Sequence, residues 1–89
     1  MSNDAMNTDR NDAAEAANRQ ASVWMKRGIA LLNKNTTVNS KEAIENFDRA
    51  IALRCGLPLD ANPLFRYGLA AGWRNRGDAL TRLGSAVNL

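Results

Sequence analysis

A chain of 89 residues with a net charge of +3, one Cys and no His is long enough for one small domain. It excludes a disulfide framework, because Cys55 has no intrachain partner, and it nearly excludes a zinc site. The charge is uneven: residues 1–20 hold four acids and two arginines, or −2, so the remainder carries +5 and raises the nucleic-acid class for testing.

Residues 1–18 read as a mostly disordered polar arm. Up to Gln20 there is no Leu, Ile, Val or aromatic side chain to offset the entropy of ordering, although Ala-rich residues 13–20 suit a frayed first turn or two. The start lacks the charged, apolar and small-residue order of a secretory signal, and no apolar run approaches the roughly 20 residues of a membrane helix. A cytoplasmic location is therefore expected, with residues 19–89 forming the helical domain.

The first helix is expected over about 17–34. Ala17, Ala21, Trp24, Gly28 and Leu31 recur at spacings of four and three, with Met25, Ile29 and Leu32 in a second row beside them. "NKNTTVNS" then breaks the rhythm. A second helix, about 40–54, starts at a cap on Asn39 or Ser40 and buries Ala43, Ile44, Phe47, Ala50, Ile51 and Leu53, while Glu45 faces Lys41 and Arg49 on the outer side. Gly56 and Pro58 end it.

"Asn62-Pro63" opens a third helix, about 62–84, in which Leu64, Phe65, Leu69, Trp73, Leu80 and Leu83 keep the helical period. Gly68, Gly72 and Gly77 each cost about 1 kcal/mol relative to Ala in a helix interior. They imply either a close neighbouring backbone or a bend near residues 68–72. The fold class is all-α.

Trp, two residues, Arg-Gly, two residues, Leu occurs twice, from Trp24 and from Trp73, and these are the only two Trp in the chain. Trp24, Gly28 and Leu31 followed by Ala43, Phe47 and Ala50 resemble the tetratricopeptide pattern, a helix-turn-helix repeat of about 34 residues. The resemblance covers residues 21–54 and 71–84, about half the chain. It departs from the pattern in Arg27 and Arg76, which replace an apolar residue, in a longer link between the first two helices, and in "CGLPLDANPLFRYG", which reads as an insertion between repeats.

The resemblance implies one and a half repeats and a non-catalytic, scaffold-like protein or peptide interaction module without a cofactor. Stacked repeats bury their core against neighbours, so Leu69, Trp73 and Leu80 are expected to be partly uncovered. Cover would come from a longer array or from self-association as a homo-oligomer.

In such arrays the inner faces of the first helices line the ligand groove. That selects Met25, Ile29, Leu32 and the adjacent Asn33 from the first copy, with Arg74, Asp78, Arg82 and the adjacent Asn75 from the second. The row Met25, Ile29 and Leu32 is either an exposed hydrophobic peptide site or buried by residues 1–20 or another subunit, with burial favoured.

A small basic nucleic-acid-binding protein is the alternative. Arg66, Arg74, Arg76 and Arg82 scatter around the third helix rather than forming a stripe, which weighs against it. Catalysis finds no footing. Glu42, Glu45 and Asp48 sit on the polar side of an amphipathic helix, Ser40 and Lys41 are adjacent and do not face each other, and Cys55 reads as a spectator thiol.

Overall fold

Two breaks in the sequence, at Asn35 and Pro58, divide the chain into three helices in the computed structural model: α1 (Ser2–Asn33), α2 (Thr37–Cys55) and α3 (Pro63–Asn88). The structure describes the backbone of residues 2–88 and the side chains of residues 12–85, and among the described residues there is no strand. At the first break Asn35 adopts φ 56°, a left-handed conformation that Asn tolerates. Its N–H donates to the Leu32 carbonyl (3.0 Å), closing the last turn of α1. Thr36 then caps α2, its hydroxyl accepting from the Asn39 N–H at 3.1 Å. The cap therefore lies ahead of the expected Asn39 or Ser40. Thr37 and Val38 join the helix despite their branching, and Ser40 is buried within it.

At the second break the Leu57 N–H donates to the Arg54 carbonyl (3.1 Å), after which Pro58 cannot extend the helix. Gly56 at φ −84° is right-handed, so its left-handed freedom is not what ends α2. Asn62 Oδ1 accepts from the Leu64 N–H at 3.0 Å, and Pro63 takes the first helical position as its missing donor allows. Gly84 does not stop α3, which runs on to Asn88.

α1 begins at Ser2, well before residue 17, and residues 2–18, expected as a mostly disordered arm, continue it. The physical reason is visible from Ala14 onward. Leu57 and Phe65, from the segment that follows α2 and the start of α3, bury themselves against Ala14, with Ala17 and Leu59 at the edge. The apolar cover that Ala14 and Ala17 need comes from the segment joining α2 to α3 and from the start of α3. No Gly or Pro interrupts the sequence up to Gly28.

α2 lies between α1 and α3, antiparallel to both. Against α1, Phe47 meets Gly28 while Arg54 reaches Asn18 and Ser22. Against α3, Arg54 meets Gly68, Ile51 meets Gly72 and Asp48 meets Arg76. The core is made of small residues around one ring: Ala21, Ala43, Phe47, Ala50 and Ala79 are completely buried, with Met25 and Leu32 beside them. Phe47 is seated so closely that a Cβ at Gly28 would lie 2.7 Å from its Cδ1 and 2.9 Å from its Cζ.

The glycines of α3 divide the same way. A Cβ at Gly68 would lie 2.8 Å from Arg54 Nε, and one at Gly72 2.9 Å from Ile51 Cγ1. Close approach, by side chains rather than by a backbone, explains both, and α3 passes through residues 68–72 unbroken. A Cβ at Gly77 would meet nothing within 4 Å beyond its own helix backbone among the described residues.

Arg54 ties the three helices together. Its side chain donates to Asn18 Oδ1 (3.3 Å) and Ser22 Oγ (3.1 Å) on α1 and to the Gly68 carbonyl (2.9 Å) on α3. The residue is buried, and desolvation lowers its pKa from the usual arginine value. Three neutral acceptors replace its water, and none of them is a carboxylate. Among the described residues no buried side-chain nitrogen or oxygen lacks a partner.

Opposite outcomes are expected from one chemical change made twice. Gly28→Ala forces the Phe47 ring out of place and lowers stability, since overpacking costs about 1–3 kcal/mol, only partly offset by the better propensity of Ala. Gly77→Ala meets nothing and raises stability by up to about 1 kcal/mol. Urea denaturation of both variants measures the signs directly. A second expectation concerns salt. Arg54→Lys, which cannot keep all three contacts, loses about 1–3 kcal/mol in low and high salt alike. Asp48→Asn, which removes the partly exposed pair with Arg76, costs about 1 kcal/mol or less and costs less still as salt is added.

Candidate interaction face on the third helix

The two Trp-led segments align at equal spacing along α1 and α3. Ala21, Trp24, Arg27, Gly28, Ala30 and Leu31 correspond to Ala70, Trp73, Arg76, Gly77, Ala79 and Leu80. On α1, the face made by Ala21, Trp24, Gly28 and Leu31 is covered by α2: Ala21 and Gly28 are buried, and Trp24 and Leu31 pack on the core. On α3 the equivalent face is open. Trp73 is 53% exposed and Leu80 42%, while Ala70 and Gly77 lie exposed between and beside them.

The difference arises because α3 meets α2 through its other side, where Gly68, Gly72 and Ala79 lie. On α1 the residue equivalent to Ala79 is Ala30, which is exposed.

The surroundings of the indoles follow. Two guanidinium groups lie over the Trp24 ring, that of Arg27 from its own helix at 5.1 Å and that of Arg49 from α2 at 4.7 Å. Arg49, expected on the outer face opposite Glu45, thus closes over Trp24 instead. Among the described residues Trp73 keeps one guanidinium neighbour, Arg76 of its own helix at 5.9 Å, and Arg76 is itself drawn toward α2 by a 2.6 Å bond to Asp48. The open face runs at its start into a shallow depression beside Tyr67, lined by Pro63, Arg66 and Ala70.

The residues selected from the sequence as a ligand groove do not form one surface. Met25 and Leu32 are buried in the core, covered by α2 and α3 of the same chain rather than by residues 1–20 or a second subunit, so neither is available to a partner. Ile29 and Asn33 are exposed beyond them. Arg82 is half-buried, donating to the Leu32 carbonyl (3.3 Å) and pairing with Asp78 (3.3 Å), which makes it a tie between α3 and α1. Asn75 is half-buried on the side of α3 that faces α2, and Arg74 stands exposed without an ion-pair partner among the described residues.

The Gly28/Gly77 equivalence, a signal already present in the repeated Trp segments, marks the open face better than the groove analogy does. Elsewhere, an open groove lined by Ala13, Ala17, Leu53 and Pro58 offers no polar side chain to orient a ligand. Cys55 is exposed, and among the described residues no three of His, Cys, Asp and Glu cluster as a metal site would require. Among the same residues no helix is long and apolar enough to cross a membrane. Compared with family models, curated protein sequences and solved structures, the chain matches none.

The two indoles report these environments separately. In Trp24→Phe the remaining Trp73 is expected to emit at the long wavelength of a hydrated indole and to be quenched readily by acrylamide. In Trp73→Phe the remaining Trp24 should emit further to the blue and resist the quencher. Equal quenching of the two would contradict the arrangement.

Proposed function

We propose that the chain is a non-catalytic, scaffold-like protein-interaction module, a tetratricopeptide-like helical repeat that binds a protein or peptide through the uncovered face of α3. The observation that carries this reading is the pairing of an exposed indole, Trp73, with an open glycine one turn on, Gly77, on a helix whose opposite side is already packed. Tryptophan is enriched among the residues that dominate binding energy, and a row of anchors at spacings of three and four suits a helix or peptide laid alongside. Self-association is a second way to cover the same surface, favoured by that same exposure. A cytoplasmic setting goes with both.

The nucleic-acid reading has less support, because the arginines of α2 and α3 other than Arg74 are engaged, and the exposed Arg19, Lys26, Lys34 and Lys41 are spread over α1, α2 and the turn between them. Arg54 is buried, Arg66, Arg76 and Arg82 pair with Asp60, Asp48 and Asp78, and Arg27 and Arg49 lie over Trp24. What remains on α3 is Arg74, not a basic stripe interleaved with stacking rings. Catalysis has no more. Glu42 and Glu45 are exposed on α2, and Asp48 is held by Arg76.

Display selection of helical peptides against the full chain tests the reading. Enriched peptides should bind the wild-type chain and lose binding to a Trp73→Glu/Leu80→Glu variant of unchanged helicity. If no enriched peptide distinguishes the two chains, α3 is not a binding face.

A further inference from the structure

The molecule contains a filled copy of its own open site. On α1, the Trp24–Gly28–Leu31 face receives a helix that sets Phe47 on Gly28 between Ala43 and Ala50, with all three of these side chains completely buried. On α3, Trp73, Gly77 and Leu80 repeat the receiving residues, and among the described residues nothing beyond its own helix backbone lies within 4 Å of the position where a Gly77 Cβ would be. A helix-interior glycine is unfavourable by about 1 kcal/mol relative to Ala. At Gly28 that cost is offset by the buried ring; at Gly77 no contact among the described residues offsets it.

The two faces differ in one informative place. Met25, beside Trp24, is replaced by Arg74 beside Trp73. On the filled side the neighbour of Met25 is identifiable, because Ile51 Cγ1 and Met25 Sδ both surround the position of a Gly72 Cβ, at 2.9 and 3.9 Å. Ile51 stands one turn beyond Phe47. A helix docked on α3 in the same register therefore brings the residue one turn beyond its aromatic ring to Arg74, exposed and without an ion-pair partner among the described residues. Charge complementarity makes that residue an acid.

A second copy of the chain does not offer such a helix. Its α2 is engaged by α1 on one side and α3 on the other, and its Phe47 is wholly buried.

Resting on the protein-binding reading above, we propose that the Trp73–Gly77–Leu80 face docks an amphipathic helix of another polypeptide. That helix carries an aromatic residue with Ala four positions before and three after it, and an acid one turn beyond it next to Arg74.

The chain's own α2 supplies the probe. A synthetic peptide of Thr37–Cys55 with Ile51→Glu and Cys55→Ser, held helical by a lactam between Lys41 and Glu45 on its outer face, is titrated into the full chain by calorimetry. Saturable binding is expected. Phe47→Ala in the peptide should weaken it by about thirtyfold, the size of a lost interface anchor. Gly77→Ala in the chain should do the same while leaving the fold more stable, which separates docking from folding. Arg74→Glu should weaken binding, and a peptide with Lys in place of Ile51 should restore it.

Binding that Gly77→Ala leaves unchanged overturns the proposal, as does no binding at all. Sedimentation equilibrium of the chain alone covers the remaining occupant. A dimer that Gly77→Ala dissociates assigns the face to a second copy and also overturns the proposal. If display selection yields Trp73-dependent binders of another pattern while this peptide fails, the protein-binding reading survives and the docked-helix proposal does not.

Discussion

The contact of the Phe47 ring with the bare backbone at Gly28 is the constraint on which the rest of the structure depends. Among the described residues Phe47 is the one large side chain that is completely buried, and the other completely buried positions around it are alanines. A core of one ring and several methyl groups reaches close packing only if the helices come near one another, and the missing Cβ at residue 28 lets that happen. The seating also fixes register. With residue 47 placed on residue 28 in an antiparallel pair, Arg49 falls over Trp24, and Arg54, two turns on, arrives opposite Asn18 and Ser22.

Arg54 completes the tie by a different kind of interaction. A guanidinium taken out of water is costly, and the usual remedy is a carboxylate. Here α1 gives two side-chain oxygens and α3 gives a carbonyl left approachable by Gly68. Because the acceptors are neutral, salt has little to screen, whereas the Arg76–Asp48 and Arg82–Asp78 pairs are partly exposed and contribute within about 1 kcal/mol each. The hierarchy is clear from these magnitudes. The ring in its socket and the buried guanidinium hold α1, α2 and α3 together, and the surface pairs adjust the fit.

Much of this is legible in the sequence because helical periodicity is strong where a face is buried. Ala43, Phe47 and Ala50 announce α2, and Asn62-Pro63 announces the start of α3 where its capping bond is found. What periodicity cannot convey is which neighbour covers a face. Met25 and Leu32 repeat at the spacing of an apolar row whether solvent, a ligand or α3 lies opposite; burial is the favoured reading, but the cover is looked for in residues 1–20 or another subunit, when α2 and α3 enclose them. The start of α1 escaped for a related reason. Ala14 looks too small to anchor anything until Leu57 and Phe65 arrive from more than forty residues away. No periodicity marks Arg54 as internal; the convergence of Asn18, Ser22 and Gly68 in space makes it so.

The same residues in two places with two outcomes give the strongest form of the structural argument. A folded sequence is consistent when each local concession is matched by a gain elsewhere, and positions where the match fails are where function is to be sought. Gly28 concedes helix propensity and gains a buried ring, Gly68 a buried guanidinium, Gly72 the side chain of Ile51. Gly77 makes the same concession one turn beyond an exposed tryptophan and has no such neighbour among the described residues. The Trp, Gly and Leu positions repeat together and lie exposed together on α3, while Arg76 between them turns to Asp48 of α2. The departure from local consistency thus falls on one face of one helix, and that face already has in α1 a worked example of what closes it.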